Sequence, residues 1–253
     1  MHTPTTTRTE THLALARPEG GGRVAVRHRS AGGPDRPVIR PVLLTSDADG
    51  ARVSLVPEGA LLLAGDDVAI DVEVGAGATL VLVEPAGTVA YDMRGGSARY
   101  DVRIHVGAAG RLIWHGEPFV VTAGAVVRRR VRVSLGQSAR LALRETLVLG
   151  RHGEAGGSLD QLLEVTTDGG QPVIADGLRT DRHPLVWGGH KAMSSVLLVG
   201  AELPEIATPP EPDGVATRFD LEAGGTLVRS LAGHAHRAEL DRAWGDAVAA
   251  ARA

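Results

Sequence analysis

Cysteine is absent from the 253 residues, which excludes disulfides and thiolate metal sites and fits a reducing compartment. Aromatic residues are almost as scarce, at 3%, so the core must be built from Val, Leu, Ile and Ala. Lysine occurs once, as Lys191 in GGHKAM, outside any phosphate-binding loop. No run approaches the roughly 18 uninterrupted apolar residues of a spanning helix. The Thr-rich start, MHTPTTTRTETH, has no apolar stretch of the kind a signal peptide carries. The formal charge of −3 gives no electrostatic case for nucleic acid. GxSxG and HExxH are missing too. The expectation from these absences is a cytoplasmic protein with neither a nucleic-acid nor a membrane partner.

What is present is a globular composition, 43% hydrophobic and 23% charged. The reading divides the chain into a flexible N-terminal segment over 1–35, with a possible first strand, and one β-rich domain over 36–253. The last stretch, AELDRAWGDAVAAARA, repeats Leu240, Trp244 and Val248 at helical spacing and predicts a helix over about 234–252.

The middle of the chain repeats itself. In VAIDVEVGAGATLVLVEP, Val68, Ile70, Val72 and Val74 alternate with Asp71 and Glu73, as in a strand with one wet face. A Gly-rich turn and an apolar strand follow. The pattern returns in YDVRIHVGAAGRLIWHGEP and RRRVRVSLGQSARLALRET, with a weaker copy in GARVSLVPEG. A leucine stands five residues after each turn glycine: Leu55, Leu80, Leu112 and Leu141. A glutamate follows: Glu58, Glu84, Glu117 and Glu145. Repeats of 25 to 32 residues imply supersecondary units that bury their apolar faces only by stacking. The fold class expected is mainly β: a layered or helically wound stack of β-hairpins with a C-terminal α-helix.

Candidate chemistry gathers at turns and strand ends. A carboxylate ending an apolar strand is costly if buried unpaired. Glu84, Glu117 and Glu145 are therefore solvated, paired with arginine, or lining a polar cavity. His115-Gly116-Glu117 and His152-Gly153-Glu154 each set an imidazole and a carboxylate two residues apart. Such ligands suit nickel or zinc, but taken alone the same tripeptide is more often a turn with an exposed histidine. His115, Glu117, His152 and Glu154 are the candidate metal ligands. His234 and His236, two apart on the expected helix, point to different faces.

The run from LLLAGDDVAIDVEV through LIWHGEPFVV to LALRETLVLGRHGE resembles the urease accessory protein family UreD, called UreH in some organisms. The resemblance rests on Gly65-Asp66, the segment Glu84 to Arg94, Glu117-Pro118, and Glu145 followed by Gly150-Arg151 and Gly153-Glu154. Arg229 and Trp244 match the family's closing arginine and helix tryptophan. The likeness spans about 50–250. The turn GRHGE is shorter than in many members, LLLA replaces the usual glycines before Gly65, and Gly245-Asp246 follows Trp244.

The resemblance implies a non-catalytic scaffold that binds the urease structural subunits and UreF, and through UreF the GTPase UreG. It implies no tightly bound cofactor, only transient nickel on its way to urease, with a water-filled route through the protein. On that basis Glu84, Asp92, His115, Glu117 and Glu145 are expected to line an ion path. Arg151, His152 and Glu154 would form a charged turn at the assembly surface, with Arg151 gripping a carboxylate bidentately. Gly65, Asp66, Gly150, Arg229 and Trp244 would be structural. Two other readings stay open: a structural β-solenoid that binds a partner, and a glycan hydrolase using a pair such as Glu117 and Glu145.

Overall fold

The computed structural model describes residues 7–32, 38–180, 187–204 and 214–253. Strands β1 (Thr7–Ala16) and β2 (Ala25–Ala31) form one antiparallel pair, and β3 (Ile39–Ser46) and β4 (Gly50–Pro57) another. Three wound coils follow. The first is β5 (Asp66–Val74), β6 (Thr79–Val83) and β7 (Thr88–Ala90); the second is β8 (Ala98–Val106), β9 (Arg111–His115) and β10 (Phe119–Val121). The third begins with β11 (Val126–Leu135) and β12 (Arg140–Leu149). Then come β13 (Ser158–Thr167), β14 (Pro172–Arg179), β15 (Ala192–Val199), β16 (Gly214–Asp220) and β17 (Thr226–Ala232). A single 3-10 turn (Ala235–Arg237) leads into helix α1 (Asp241–Arg252).

Each coil gives one long strand to each of two sheets, and the short β7 and β10 pair with each other, β10 also with β12, off the main path of the second. The first sheet has the order β14-β13-β11-β8-β5-β1-β2; the second runs β16-β17-β15-β12-β9-β6-β4-β3. Neighbours from successive coils are parallel, and antiparallel strands close both ends. The mainly β, wound stack with a C-terminal helix is what the repeats predicted. Within each unit the finer picture differs: β5 and β6 do not pair with each other, so the Gly-rich turn is a corner between sheets rather than a hairpin.

The corners explain the repeated glycine. Gly107 N–H donates to Val74 O, and Gly136 N–H to Val106 O, at 2.7 Å each. A Cβ on Gly107 would lie 2.9 Å from the Ala76 nitrogen, and one on Gly136 would lie 2.6 Å from the Ala108 nitrogen. Corner backbones stack directly on one another, and only glycine permits that approach. Gly50 is not a fourth corner. It pairs with Thr79 inside the sheet, so Leu55 falls outside the leucine row.

That row is Leu80, Leu112 and Leu141, adjacent in register and fully buried. Opposite, on the first sheet, lie Val74, Val106 and Leu135. With so few aromatics, this aliphatic ladder carries the core. Leu112→Ala should cost about 3 kcal/mol, read from urea unfolding, because the coils above and below hold the cavity open.

The N-terminal region supplies more than one possible strand. Thr9, Thr11, Leu13 and Leu15 alternate inward, and β1 joins β5 in parallel.

Helix α1 covers the outer face of the second sheet. It begins at Asp241 rather than near 234, and its buried stripe is Ala243, Ala247 and Ala251 against Ile113, Ala142, Val196, Leu198 and Val228. Trp244 and Val248 sit at the rim of that contact, because the small alanines allow closer approach. Two outward arginines of β12 tie the helix down. Arg144 Nη1 bonds Asp241 Oδ1 at 2.7 Å in the first turn, and Arg140 Nη1 donates to Ala250 O at 3.1 Å near the last.

Candidate functional site: a polar row through the core

Away from the glycine corners, the apolar interior gives way to polar side chains on both inner faces. Register builds the first row. Tyr100 on β8, Arg129 on β11 and Gln161 on β13 are adjacent, and all three are buried. On the second sheet Glu145 on β12, Ser195 on β15 and Arg229 on β17 are adjacent in the same way. Glu84 ends β6 and reaches the same region past Gly116, which has no side chain to fill the space.

The two rows meet. Glu84 accepts from Trp114 Nε1 at 3.1 Å and from the Glu117 backbone N–H at 3.2 Å. Arg129 Nη1 stands 2.5 Å from Glu145 Oε1 and donates to Gln161 Oε1 at 3.1 Å. The Arg129 guanidinium also lies over Phe119 and Tyr100, at 5.3 and 5.9 Å from the ring centroids. Its contact with Glu145 is close but not aligned as a hydrogen bond. Arg129 Nε and Glu145 Oε1 therefore remain buried polar atoms without a hydrogen-bond partner. Further along, Arg229 pairs with Asp176 and donates to Ser195 Oγ at 3.2 Å.

Electrostatics follow from burial. Desolvation pushes the Glu84 carboxyl up to about 7; the Glu117 N–H, Arg129 and the Trp114 bond pull it back only partly. Burial likewise raises Tyr100. For Arg129, burial works against the charge, but Glu145, Tyr100 and Glu84 outweigh it and its pKa rises.

Two small cavities line this row and share Leu143, Glu145 and Leu147. One, of about 20 Å³, touches Glu84, Glu117, Arg129 and Glu145. The other, of about 10 Å³, touches Glu145, Gln161, Asp176, Ser195 and Arg229. Each is close to the size of a single water site. Glu117 at one end and the Asp176–Arg229 pair at the other are half-exposed.

The structure brings Glu84, Glu117 and Glu145 together and sets Asp92 and His115 apart from them. Asp92 is exposed, its carboxylate accepting the Arg94 N–H at 2.8 Å within a turn. His115 follows inward-facing Trp114 and so points outward, its ring 5.4 Å from that of Trp244. Burial, with Arg144 nearby, lowers the His115 pKa.

The turn at 150–154 is surface structure. Gly150 takes φ +79, and a Cβ there would lie 2.4 Å from Glu154 O. Glu154 accepts the Arg151 N–H at 2.9 Å. The Arg151 guanidinium lies 5.5 Å over the Tyr91 ring rather than forking onto a carboxylate, which corrects the expected bidentate pair. His152 faces His234, with ring centroids 6.2 Å apart, and His234 faces His236 at 5.6 Å. Among the described residues no three His, Cys, Asp or Glu side chains are placed to hold a metal ion. At the other family positions, Gly65 donates to Ser97 O at 2.9 Å and Asp66 accepts the Leu63 N–H at 2.8 Å, shaping the entry to β5.

Sequence reasoning missed Tyr100, Arg129, Gln161, Asp176 and Ser195. The signal for the first three was parity: Arg129 shares its face with Val127, Val131 and Val133, while Arg128, Arg130 and Arg132 share the other.

A family model described as UreD urease accessory protein matches residues 8–253. A protein of Streptomyces griseus named urease accessory protein UreD 1 is 42% identical over 217 residues, covering 84% of this chain and 81% of its own length. Urease accessory protein UreD 2 of Saccharopolyspora erythraea is 37% identical, covering 76% and 69%. The UreD protein of a Parafrankia species is 36% identical, covering 83% and 75%. With a family match over nearly its whole described length and relatives of this closeness, the chain belongs to the UreD family of urease accessory proteins.

Proposed function

We propose that the protein is a non-catalytic cytoplasmic scaffold of urease maturation. It binds the urease structural subunits and UreF, and through UreF it engages UreG. Nickel, as cargo, travels through the interior along the polar row. The observation that carries this reading is the continuity of Glu84, Arg129, Glu145, Gln161, Ser195 and Asp176–Arg229 across an otherwise aliphatic core, with half-exposed groups at both ends. A row of carboxylates and neutral oxygens, interrupted by the Arg129 and Arg229 guanidiniums that engage several of them, holds a divalent ion weakly. That is what a conduit requires, since a tightly bound ion does not leave. The turn Arg151-His152-Glu154, stiffened by Gly150 and Tyr91, serves the assembly surface. Asp92 and His115, outside the interior row, contribute no ligand to it.

The test is the nickel content and activity of urease purified from cells that carry the other maturation proteins, with and without this chain. Urease should be expressed but nickel-poor without it, and fully loaded urease would overturn the reading. Glu84→Gln should still co-purify with urease and UreF. It should deliver roughly tenfold less nickel, the effect of about 1.4 kcal/mol on ion occupancy. Loss of co-purification instead would make Glu84 structural.

A further inference from the structure

A second polar feature lies on the outer face of the second sheet, remote from the interior row. A cavity of about 500 Å³ opens between the β3–β4 turn, the starts of β6 and β9, and the C-terminal turn of α1. This is the size range of small-ligand sites. Arg52, Arg111 and Arg252 line it together with Thr79, Asp47 and Asp49. Each arginine comes from a different element, so their convergence is a product of the fold and not of a basic run in the sequence.

The three guanidiniums are unmatched. Among the described residues, none of them has a carboxylate within ion-pair reach or a hydrogen-bond acceptor, whereas on the first sheet Arg103 pairs with Asp71 and Arg132 with Glu164. Arg111 Nε is buried without any acceptor, a cost the fold bears unless something else supplies one. The two aspartates in the lining are already engaged. Asp47 Oδ1 accepts the N–H groups of Asp49 and Gly50, at 2.9 and 2.8 Å, and these bonds hold its pKa down. Asp49 Oδ1 bonds Arg17 at 2.7 Å. At the helix end it is Arg140, not one of these three, that donates to Ala250 O.

We infer that this cavity is a binding site for a multivalent oxyanion, a phosphoryl or polycarboxylate group held by Arg52, Arg111 and Arg252. Guanidinium forks match such oxygens in pairs, and no lysine stands among the lining groups. The site stands independently of the interior route and adds a ligand to a scaffold whose proposed cargo is a cation.

The experiment measures thermal unfolding and titration calorimetry of the full chain with pyrophosphate and with citrate, at matched ionic strength and against sodium chloride. At a hundredfold excess over Kd, binding should raise the unfolding midpoint by about 5 °C. Arg111→Met should abolish the shift. Arg52→Met, at an exposed position that leaves the fold intact, should weaken binding about tenfold. Binding of pyrophosphate alone supports a phosphoryl ligand, and binding of both supports the broader class. No shift with either probe, or equal binding by both variants, would overturn the site and reduce the arginines to a solvated cluster.

Discussion

Glu145→Leu should destabilise the protein by about 3–5 kcal/mol, the usual cost of stripping one partner from a buried ion pair. Arg129 is only 6% exposed, and among the described residues Glu145 is the carboxylate within ion-pair distance of it. Gln161 and the two aromatic faces cannot replace a full negative charge. The double variant Arg129→Met/Glu145→Leu should recover most of the loss, to within about 1–2 kcal/mol, because neither charge then remains to be desolvated. What stays missing is the donor to Gln161 Oε1, worth about 1 kcal/mol. Urea unfolding of the two single variants and the double closes the cycle. A cost below about 1 kcal/mol for Glu145→Leu would mean that water reaches Arg129 freely.

The double variant also separates structure from transport. An apolar Met and Leu at the centre of the row keep the coils packed but remove the polar lining between Glu84 and Gln161. On the proposed route, nickel loading of urease should fall even though the chain folds and assembles. A variant equally stable and fully competent would show that the polar row is a relic of packing.

Much of this architecture was legible in the sequence, because solenoid packing repeats one physical demand in every coil. The glycine spacing marks the corners and the leucine after it marks the ladder. Side by side, β5 and β8 set acid against base across their outward positions, as in the Asp71–Arg103 contact at 3.5 Å. Two things were harder to read. Whether a Gly-rich turn closes a hairpin or turns a corner depends on partners 25 to 32 residues away, and period-2 alternation is identical in both cases. The site was half-legible. Strand-end glutamates were conspicuous, whereas Arg129 was hidden inside RRRVRV, where composition suggests a solvated run and only parity separates the inward arginine from its neighbours. Parity would also have placed His115 outside, next to inward Trp114. Asp176 and Arg229 are 53 residues apart, and only the antiparallel closure of the stack brings them together.

Glu84 supplies the second large effect, a stability that falls as pH rises through neutrality. Burial lifts its carboxyl from the solution value of 4.5 to about 7. Between those limits the folded chain keeps a proton that the unfolded chain has already lost. Unfolding therefore releases a proton, and raising the pH favours unfolding. The contribution is complete below 4.5 and gone above about 7. At 1.36 kcal/mol per pH unit, the full span is on the order of 3 kcal/mol. Glu84→Gln has no proton to lose, so its stability relative to wild type should improve by about 2 kcal/mol between pH 5 and pH 8. Urea midpoints of the two proteins at four pH values give that difference directly, free of every other titrating group. A difference that stays flat would place Glu84 ionised throughout, in contact with solvent. If the slope is found, Glu84 is a carboxyl poised near neutrality in the middle of a polar row. It then accepts a divalent ion by giving up one proton and regains the proton when the ion moves on. Such an exchange limits the charge added to the buried site to one, where an ion entering beside a carboxyl that kept its proton would add two.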